Sequence, residues 1–567
     1  MKIGMEINDY IQIFLFLFLL VALTPLLGSF MTKVLNGERN ILTSVFRKPE
    51  KFIYKIIGVN TNHSMNWKKY TISLLIFNLA GFLFLLLILI TQQWLPLNPQ
   101  QMENMNWHTA LNTSISFVTN TNWQSYAGEI GLSYFSQMIG LTVQNFLSAA
   151  TGMAVLVALI RGITGKTTEM LGNFWIDVTR STLYILLPLS IILAVFLVGQ
   201  GVIQNFDNYT EVTTLQGDIQ IIPQGPAASQ IAIKQLGTNG GGFFNTNSAH
   251  PFENPTPFSN FLQLLSILLI PAALTYTYGK MIKSQKQGWA IFTAMFVLFG
   301  VGLFVSLYSE FNQSELWNNM ANMEGKETRF GIANSVLWST TTTVASNGSV
   351  NAMHDSLTPL SGMMAMINMM LGEVIYGGAG AGLYGIVIFI ILTVFIAGLM
   401  VGRTPEYLGK KIEAFEVKMA LIAILSPSVV ILLFSAIACT IPSGLLGLNN
   451  EGPHGLSEIL YAFTSAAGNN GSAFAGLNAS TLFFNLMIAL GMLIGRFGII
   501  IPVLAIAGSL AKKKITPISQ GTFRTDNVLF VGLLISIIII VGGLTFFPAL
   551  SLGPILDHIL MQNGVLF

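Results

Sequence analysis

Asn120-Thr121-Asn122, Thr238-Asn239-Gly240, Ser346-Asn347-Gly348 and Asn469-Asn470-Gly471 are four versions of one turn, spaced 118, 108 and 123 residues apart. The stretches that lead into them rhyme as well: Thr113-Ser114-Ile115-Ser116-Phe117, Ala227-Ala228-Ser229-Gln230-Ile231, Ser339-Thr340-Thr341-Thr342-Thr343 and Ala462-Phe463-Thr464-Ser465-Ala466. Each leading stretch is semi-apolar and too short to cross a bilayer. A repeat of this period marks a structural array, and each unit reads as helix, re-entrant loop, helix. One Asn-Gly turn is common, since that dipeptide closes loops everywhere. Four in register, each in the same place between long apolar runs, are not explained that way.

Outward from the turns, the chain is membrane material. Only 9% of its 567 residues are charged, where a soluble protein runs at roughly 25%. Hydrophobic residues make up 52% and mean hydropathy is +0.65, which excludes a soluble enzyme and makes the bilayer the solvent. Runs of about 20 apolar residues, enough to cross ~30 Å of hydrocarbon, lie near residues 10–32, 70–92, 133–160, 174–200, 258–279, 288–308, 362–402, 417–440, 480–508 and 526–548. The first has only Lys2 against Glu6 and Asp9 before it and no clear small-residue cleavage site after it, so it reads as a retained helix.

Ten spans alternate the loops between two sides, and the basic residues follow that alternation. Twenty-two of 27 fall in loops 33–69, 161–180, 280–286, 403–418 and 512–524; the other side holds Lys2, Lys234, Lys326 and Arg329, and Arg496 lies inside a helix. The positive-inside rule places the base-rich loops in the cytoplasm, and both termini and the four turn-bearing loops outside. The expected fold is all-α: ten transmembrane helices with four re-entrant pore loops in a pseudo-fourfold array. Its divisions are an extra helix and cytoplasmic loop at 1–65, pore units at 66–165, 166–285, 286–405 and 406–515, and a last helix at 516–567.

Non-helical backbone at membrane depth is tolerated only where protein buries it or a watery path lines it. Four half-helices followed by extended, Gly-containing turns can present backbone carbonyls that replace the hydration shell of a monovalent cation. Glycine suits positions whose carbonyls must align, and Asn122 is the next best tenant in the first turn. None of the four turns contains Asp or Glu, so potassium is favoured over divalent ions.

Several other features need weighing. Gly377-Gly378-Ala379-Gly380-Ala381-Gly382-Leu383-Tyr384-Gly385 interrupts the long seventh run. Its Gly-x-Gly-x-x-Gly has no βαβ setting for a dinucleotide, which leaves a close helix contact or a break that gates the path. Arg496 needs an intramembrane partner; Glu373 is the expected one, with Arg403 nearer the cytoplasm, in either a structural pair or a functional cluster. Gly165-Lys166-Thr167 lacks the first glycine of a phosphate loop, Ile160 standing there. His354-Asp355 reads as packing around the turns, Met363, Met364, Met366, Met369 and Met370 as adaptable helix packing, and Cys439 as a small buried hydrophobe. The six histidines are scattered, which argues against an intramembrane enzyme.

Thr238-Asn239-Gly240-Gly241-Gly242-Phe243-Phe244-Asn245 running on through Ser248-Ala249-His250-Pro251-Phe252-Glu253-Asn254-Pro255, together with Val350-Asn351-Ala352-Met353-His354-Asp355-Ser356, Thr121-Asn122-Trp123-Gln124-Ser125-Tyr126 and Gly495-Arg496-Phe497-Gly498, resembles the A-subunit family of bacterial Kdp potassium-transporting ATPases over nearly the whole chain. The resemblance implies four membrane-pore-membrane units with one extra helix at each end. It puts the filter at Asn122, Gly240, Gly348 and Gly471 with their neighbours, a gate at the glycine break, and the Arg496 cluster near a tunnel that carries K+ sideways. It implies a K+-binding, non-catalytic subunit in the bacterial cell membrane, with potassium as its ion and no organic cofactor. The implied partners are a P-type ATPase catalytic subunit, a single-span C subunit, a small single-helix subunit and membrane lipids, with no nucleic acid. The chain has no Asp-Lys-Thr-Gly phosphorylation motif of its own. A stand-alone K+ channel or symporter fits the fourfold repeat equally well; the flanking motifs separate the two.

Overall fold

The computed structural model describes residues 4–312, 322–372, 374–400, 402–517 and 523–565. Among them ten helices are long and apolar enough to cross a membrane: Ile7–Leu35, Trp67–Trp94, Ser136–Thr164, Phe174–Gly199, Pro257–Met281, Gln285–Asn312, Ala381–Met400, Ala414–Thr440, Leu482–Lys512 and Val528–Gln562. Four shorter helices sit where re-entrant segments are expected: Trp107–Val118, Ala227–Leu236, Gly331–Val344 and Gly452–Ala467. Their C-terminal halves are buried, and each ends two residues before the first residue of one of the four turns.

The spans are apolar all round, as lipid-facing and core helices both require, so packing decides their places. Ser136–Thr164, Pro257–Met281 and Ala381–Met400 are mostly buried, whereas Ile7–Leu35 and Val528–Gln562 are the least buried of the ten. Small residues allow the close crossings. A Cβ added to Gly28 would fall 2.6 Å from Ala273 O, one on Gly162 2.5 Å from Ala507 O, and one on Gly495 2.2 Å from Ala467 O.

Loops that the charge pattern assigns to one side do meet one another. On the base-rich face Arg180 pairs with Glu50 (3.0 Å), Lys512 with Glu169 (2.9 Å) and Lys513 with Glu416 (2.7 Å). Lys410 Nζ donates to Gly162 O (3.0 Å), Gly165 O and Leu510 O, closing the C-terminal ends of two spans. Here also lies an amphipathic helix, Thr43–Ile57, with Val45, Phe52 and Ile56 exposed beside Arg47, Lys48 and Lys51. On the opposite face Gln12 bonds Asn334 (2.9 Å) and Asp557 bonds His454 (3.0 Å), so the first span joins the third turn-bearing loop and the last span the fourth.

Two features depart from the expected all-α pattern. Thr210–Thr213 pairs with Ile219–Ile222, and Glu406–Tyr407 with Lys410–Lys411, as small antiparallel hairpins in loops. The run 362–402 is two helices, Pro359–Met370 and Ala381–Met400, joined by a break that begins at Leu371. That is earlier than the glycine cluster suggests, because Gly372 (φ +80°) and Tyr376 (φ +52°) already leave helical geometry while Gly382 and Gly385 lie within the second helix.

Candidate ion-binding site

The backbone of the four turns repeats in detail. The first residue of each has positive φ (Asn120 64°, Thr238 52°, Ser346 50°, Asn469 49°), and so has the third (Asn122 57°, Gly240 87°, Gly348 83°, Gly471 102°). The middle residue of each turn is not among the positive-φ residues, so the sign of φ alternates along all four turns. Their N–H groups point back at the half-helices: Thr121 and Asn122 donate to Ser116 O, Asn239 and Gly240 to Lys234 O, Asn347 to Thr342 O and Asn470 to Ser465 O. The carbonyl C-terminal ends of those half-helices also carry partial negative charge, which favours a cation nearby.

The turns close on one another in chain order. A Cβ on Gly240 would lie 1.7 Å from Asn347 O, one on Gly348 2.1 Å from Asn470 O, and one on Gly471 2.0 Å from Thr121 O. At the remaining junction Asn120 Nδ2 donates to Thr238 O (2.9 Å) and Asn239 Nδ2 to Asn120 Oδ1 (2.6 Å). The ring therefore needs glycine at three junctions. Asn122 keeps its side chain at the fourth because Nδ2 reaches Asn145 Oδ1 (2.7 Å) on the neighbouring span.

The middle asparagines are staples between units. Asn347 Nδ2 donates to Lys234 O (3.2 Å) and Asn470 Nδ2 to Thr342 O (2.9 Å), each reaching the half-helix of the preceding unit. Asn469 Nδ2 reaches Thr121 Oγ1 (3.0 Å) and Ser346 Oγ reaches Gly468 O (3.4 Å). All twelve residues singled out in the turns thus come together. Their sequence suggests carbonyl donors; the stapling by their side chains is legible only in three dimensions.

Behind the second turn stands a pair that the sequence leaves among the outer loop bases. Lys234 and Glu253 are fully buried, 2.5 Å apart. Lys234 Nζ also donates to Asn247 Oδ1 (2.7 Å) and Ser248 Oγ (3.0 Å), and Asn247 Nδ2 in turn to Gly240 O (2.6 Å). Glu253 Oε1 accepts the N–H groups of Phe243 (2.5 Å) and Phe244 (2.9 Å). A polar chain thus runs from Glu253 to the turn, which accounts for the long motif after Gly240. The available signal was a lone lysine in an otherwise uncharged half-helix. His354 does pack around the turns: its Nδ1 lies 2.8 Å from Tyr461 OH, and burial pushes its imidazole down to about 3.

The glycine break lies against this ring. Ala379 N donates to Thr238 Oγ1 (2.8 Å), and a Cβ on Gly378 would lie 3.2 Å from the same oxygen. Gly380 (φ +93°) faces Gly152, where an added Cβ would fall 2.3 Å from Gly152 O. Gly382 packs on Gly377, 2.3 Å from its N by the same construction. Arg496, buried, donates through Nη2 to Ser148 O (3.1 Å), one turn from Gly152. Arg403 lies past the far end of the second helix, its N–H bonded to Gly398 O (2.8 Å). Glu373, the expected partner of Arg496, lies outside the described residues.

Ten apolar spans around four half-crossing helices, with the turns of those helices closed into one carboxylate-free ring, define a membrane-pore-membrane transport protein. The family model of the potassium-transporting ATPase A subunit matches residues 14–559. The chain is 55% identical over 563 residues to the potassium-transporting ATPase potassium-binding subunit of Leptospira interrogans serogroup Icterohaemorrhagiae serovar copenhageni, covering 99% of this chain and 100% of that one. It is 56% identical over 562 residues to the subunit of the same name from Pseudomonas fluorescens strain Pf0-1, covering 98% and 100%. It belongs to the potassium-transporting ATPase A subunit family. Among solved structures, the potassium transporter TrkH from Vibrio parahaemolyticus aligns with a TM-score of 0.49 at 15% identity, over 87% of this chain and 97% of that one.

Proposed function

We propose that this chain is the K+-binding and translocating subunit of an ATP-driven potassium importer. The observation that carries the reading is the closed ring of four turns, free of carboxylates, in a chain of this family. Ions reach the ring from the face of the four long loops, which is the extracellular side, and exchange water for backbone carbonyls at 120–122, 238–240, 346–348 and 469–471. The break at 371–380, held to Thr238 and Gly152, blocks straight passage. Ions then leave sideways past Arg496, Glu373 and Arg403 to a P-type ATPase subunit, which hydrolyses the ATP. A single-span C subunit and a small single-helix subunit complete the complex in the bacterial cell membrane. The pore units divide at 66–165, 166–285, 286–405 and 406–515, and both termini are extracellular.

The test is K+ flux into proteoliposomes that hold this chain alone or the chain with its ATPase partner and ATP. The expected result is negligible flux alone and ATP-dependent, vanadate-sensitive uptake by the complex. Robust passive K+ conductance from the chain alone would overturn the reading in favour of a stand-alone channel.

A further inference from the structure

Asp355, His454 and Glu458 place one potential ligand atom each within 4.8 Å of the others. His454 and Glu458 lie one turn apart on the fourth half-helix, Gly452–Ala467, and so share a face. Asp355 comes from the short turn after the third member of the ring, His354–Ser356. His454 Nε2 is 3.2 Å from Asp355 Oδ1, and its Nδ1 is 3.0 Å from Asp557 Oδ2 on the last span. Glu458 is fully buried; Oε1 accepts from Asn450 Nδ2 (2.8 Å), but Oε2 has no hydrogen-bond partner among the described residues. A Cβ on Gly476 would fall 2.0 Å from Glu458 Oε1 and 2.7 Å from Asp355 Oδ2, so the two carboxylates converge on the same glycine. A buried and a half-buried carboxylate side by side, the buried one with an orphaned oxygen, call for a positive charge or a proton between them.

We propose that Asp355, His454 and Glu458 form a binding site for a zinc-class divalent transition-metal ion on the face of the four long loops. One imidazole and two carboxylates make a three-ligand set that leaves a coordination position for water, whereas magnesium and calcium favour oxygen-only shells. Asp557 supplies the outer support such sites use: it holds His454 through Nδ1 and leaves Nε2 to face the ion. Coordination through Nε2 requires that nitrogen to be free of a proton, so the site fills less readily as pH falls. Ligands around a tetrahedral ion with bonds of about 2.0–2.2 Å stand about 3.3–3.6 Å apart, a contraction that side-chain rotation supplies. A cavity of about 400 Å³ lined by Asp355, Asn450, His454 and Asp557 gives ion and water their access. The bound ion clips the third and fourth units of the ring to the last span. None of this depends on the ion that the ring itself selects.

The purified full chain in detergent, stripped with chelator and dialysed against zinc alone, is the material for the test. Metal is counted by mass spectrometry, and a Co2+-loaded sample gives the coordination spectrum. The expected result is one zinc per chain, an intense tetrahedral Co2+ spectrum, and loss of retention in His454→Asn and Glu458→Gln. Asp557→Asn, which leaves the ligands intact, weakens binding by about 10- to 100-fold. Gel filtration shows which variants fold, and the Co2+ spectrum of the unsubstituted chain decides independently of them. Zinc no higher than the dialysis background, a weak octahedral Co2+ spectrum, or equal retention in folded Glu458→Gln would overturn the site and leave a proton-bridged ion pair.

Discussion

Gly240 is where one methyl group has the largest leverage. Its added Cβ would sit 1.7 Å from a neighbouring carbonyl oxygen, inside any contact radius, and its φ of +87° already disfavours a side chain. Gly240→Ala must push the third turn away or pull its own out of the ring. Overpacking costs about 1–3 kcal/mol, which taken from ion binding is about 5- to 150-fold in affinity, read as the K+ concentration for half-maximal ATPase stimulation in the complex. Asn122→Gly, at the one junction that tolerates a side chain, should shift that concentration far less. Lys234→Met leaves Glu253 buried and unpaired at a cost of about 3–5 kcal/mol, expected as a marked fall in the detergent unfolding midpoint.

Between elements, the contact of interest is the hydrogen bond from Ala379 in the broken seventh segment to Thr238 in the ring. Thr238→Val keeps the shape of the side chain but removes the acceptor of the Ala379 N–H, leaving a buried donor unpaired at about 1–3 kcal/mol. Hydrogen exchange across 371–380 should quicken by about 5- to 100-fold, while Thr238→Ser retains native protection. Unchanged exchange in Thr238→Val would mean that the break is held by Gly152 and Gly380 alone. At this scale the sequence was read well where periodicity spoke. The ten spans and four half-helices follow from run length and from the recurrence of the turns, because in a membrane the backbone has few other options. The start of the break is not legible in the glycine-rich run, because the left-handed residue just past the methionine-rich helix is Gly372, five residues before that run. The polar scaffold of Lys234, Asn247 and Glu253 was missed because its members lie up to 19 residues apart in a loop with no regular period, and pattern reading detects only what repeats.

For the molecule as a whole, the charge asymmetry makes a sidedness prediction. In a Cys439→Ser background, Gly564→Cys should react with an impermeant thiol reagent added to intact cells, and Lys48→Cys should react only after the membrane is opened. The reverse pattern would invert the topology and put the ring's wide loops in the cytoplasm. The clustering of both groups of loops on opposite faces could not be read from charge counting alone, but it is what charge counting requires.

The last junction of the ring joins Asn469 to Thr121 across 348 residues. At about 5–20 residues per second, a ribosome needs roughly 20–70 s to supply that partner once the first turn has been made. Through that interval the turns made so far, one and then two and then three, stand at membrane depth with their enclosure incomplete, and polar backbone there has only water or insertion machinery to satisfy it. Nascent chains stalled before the fourth unit should therefore be short-lived, cleared by membrane quality control, and the lifetime of such fragments should rise abruptly once residues 452–471 are included. The architecture that makes the finished ring rigid thus sets a window of vulnerability in its biosynthesis, whose length is fixed by the order of the units along the chain.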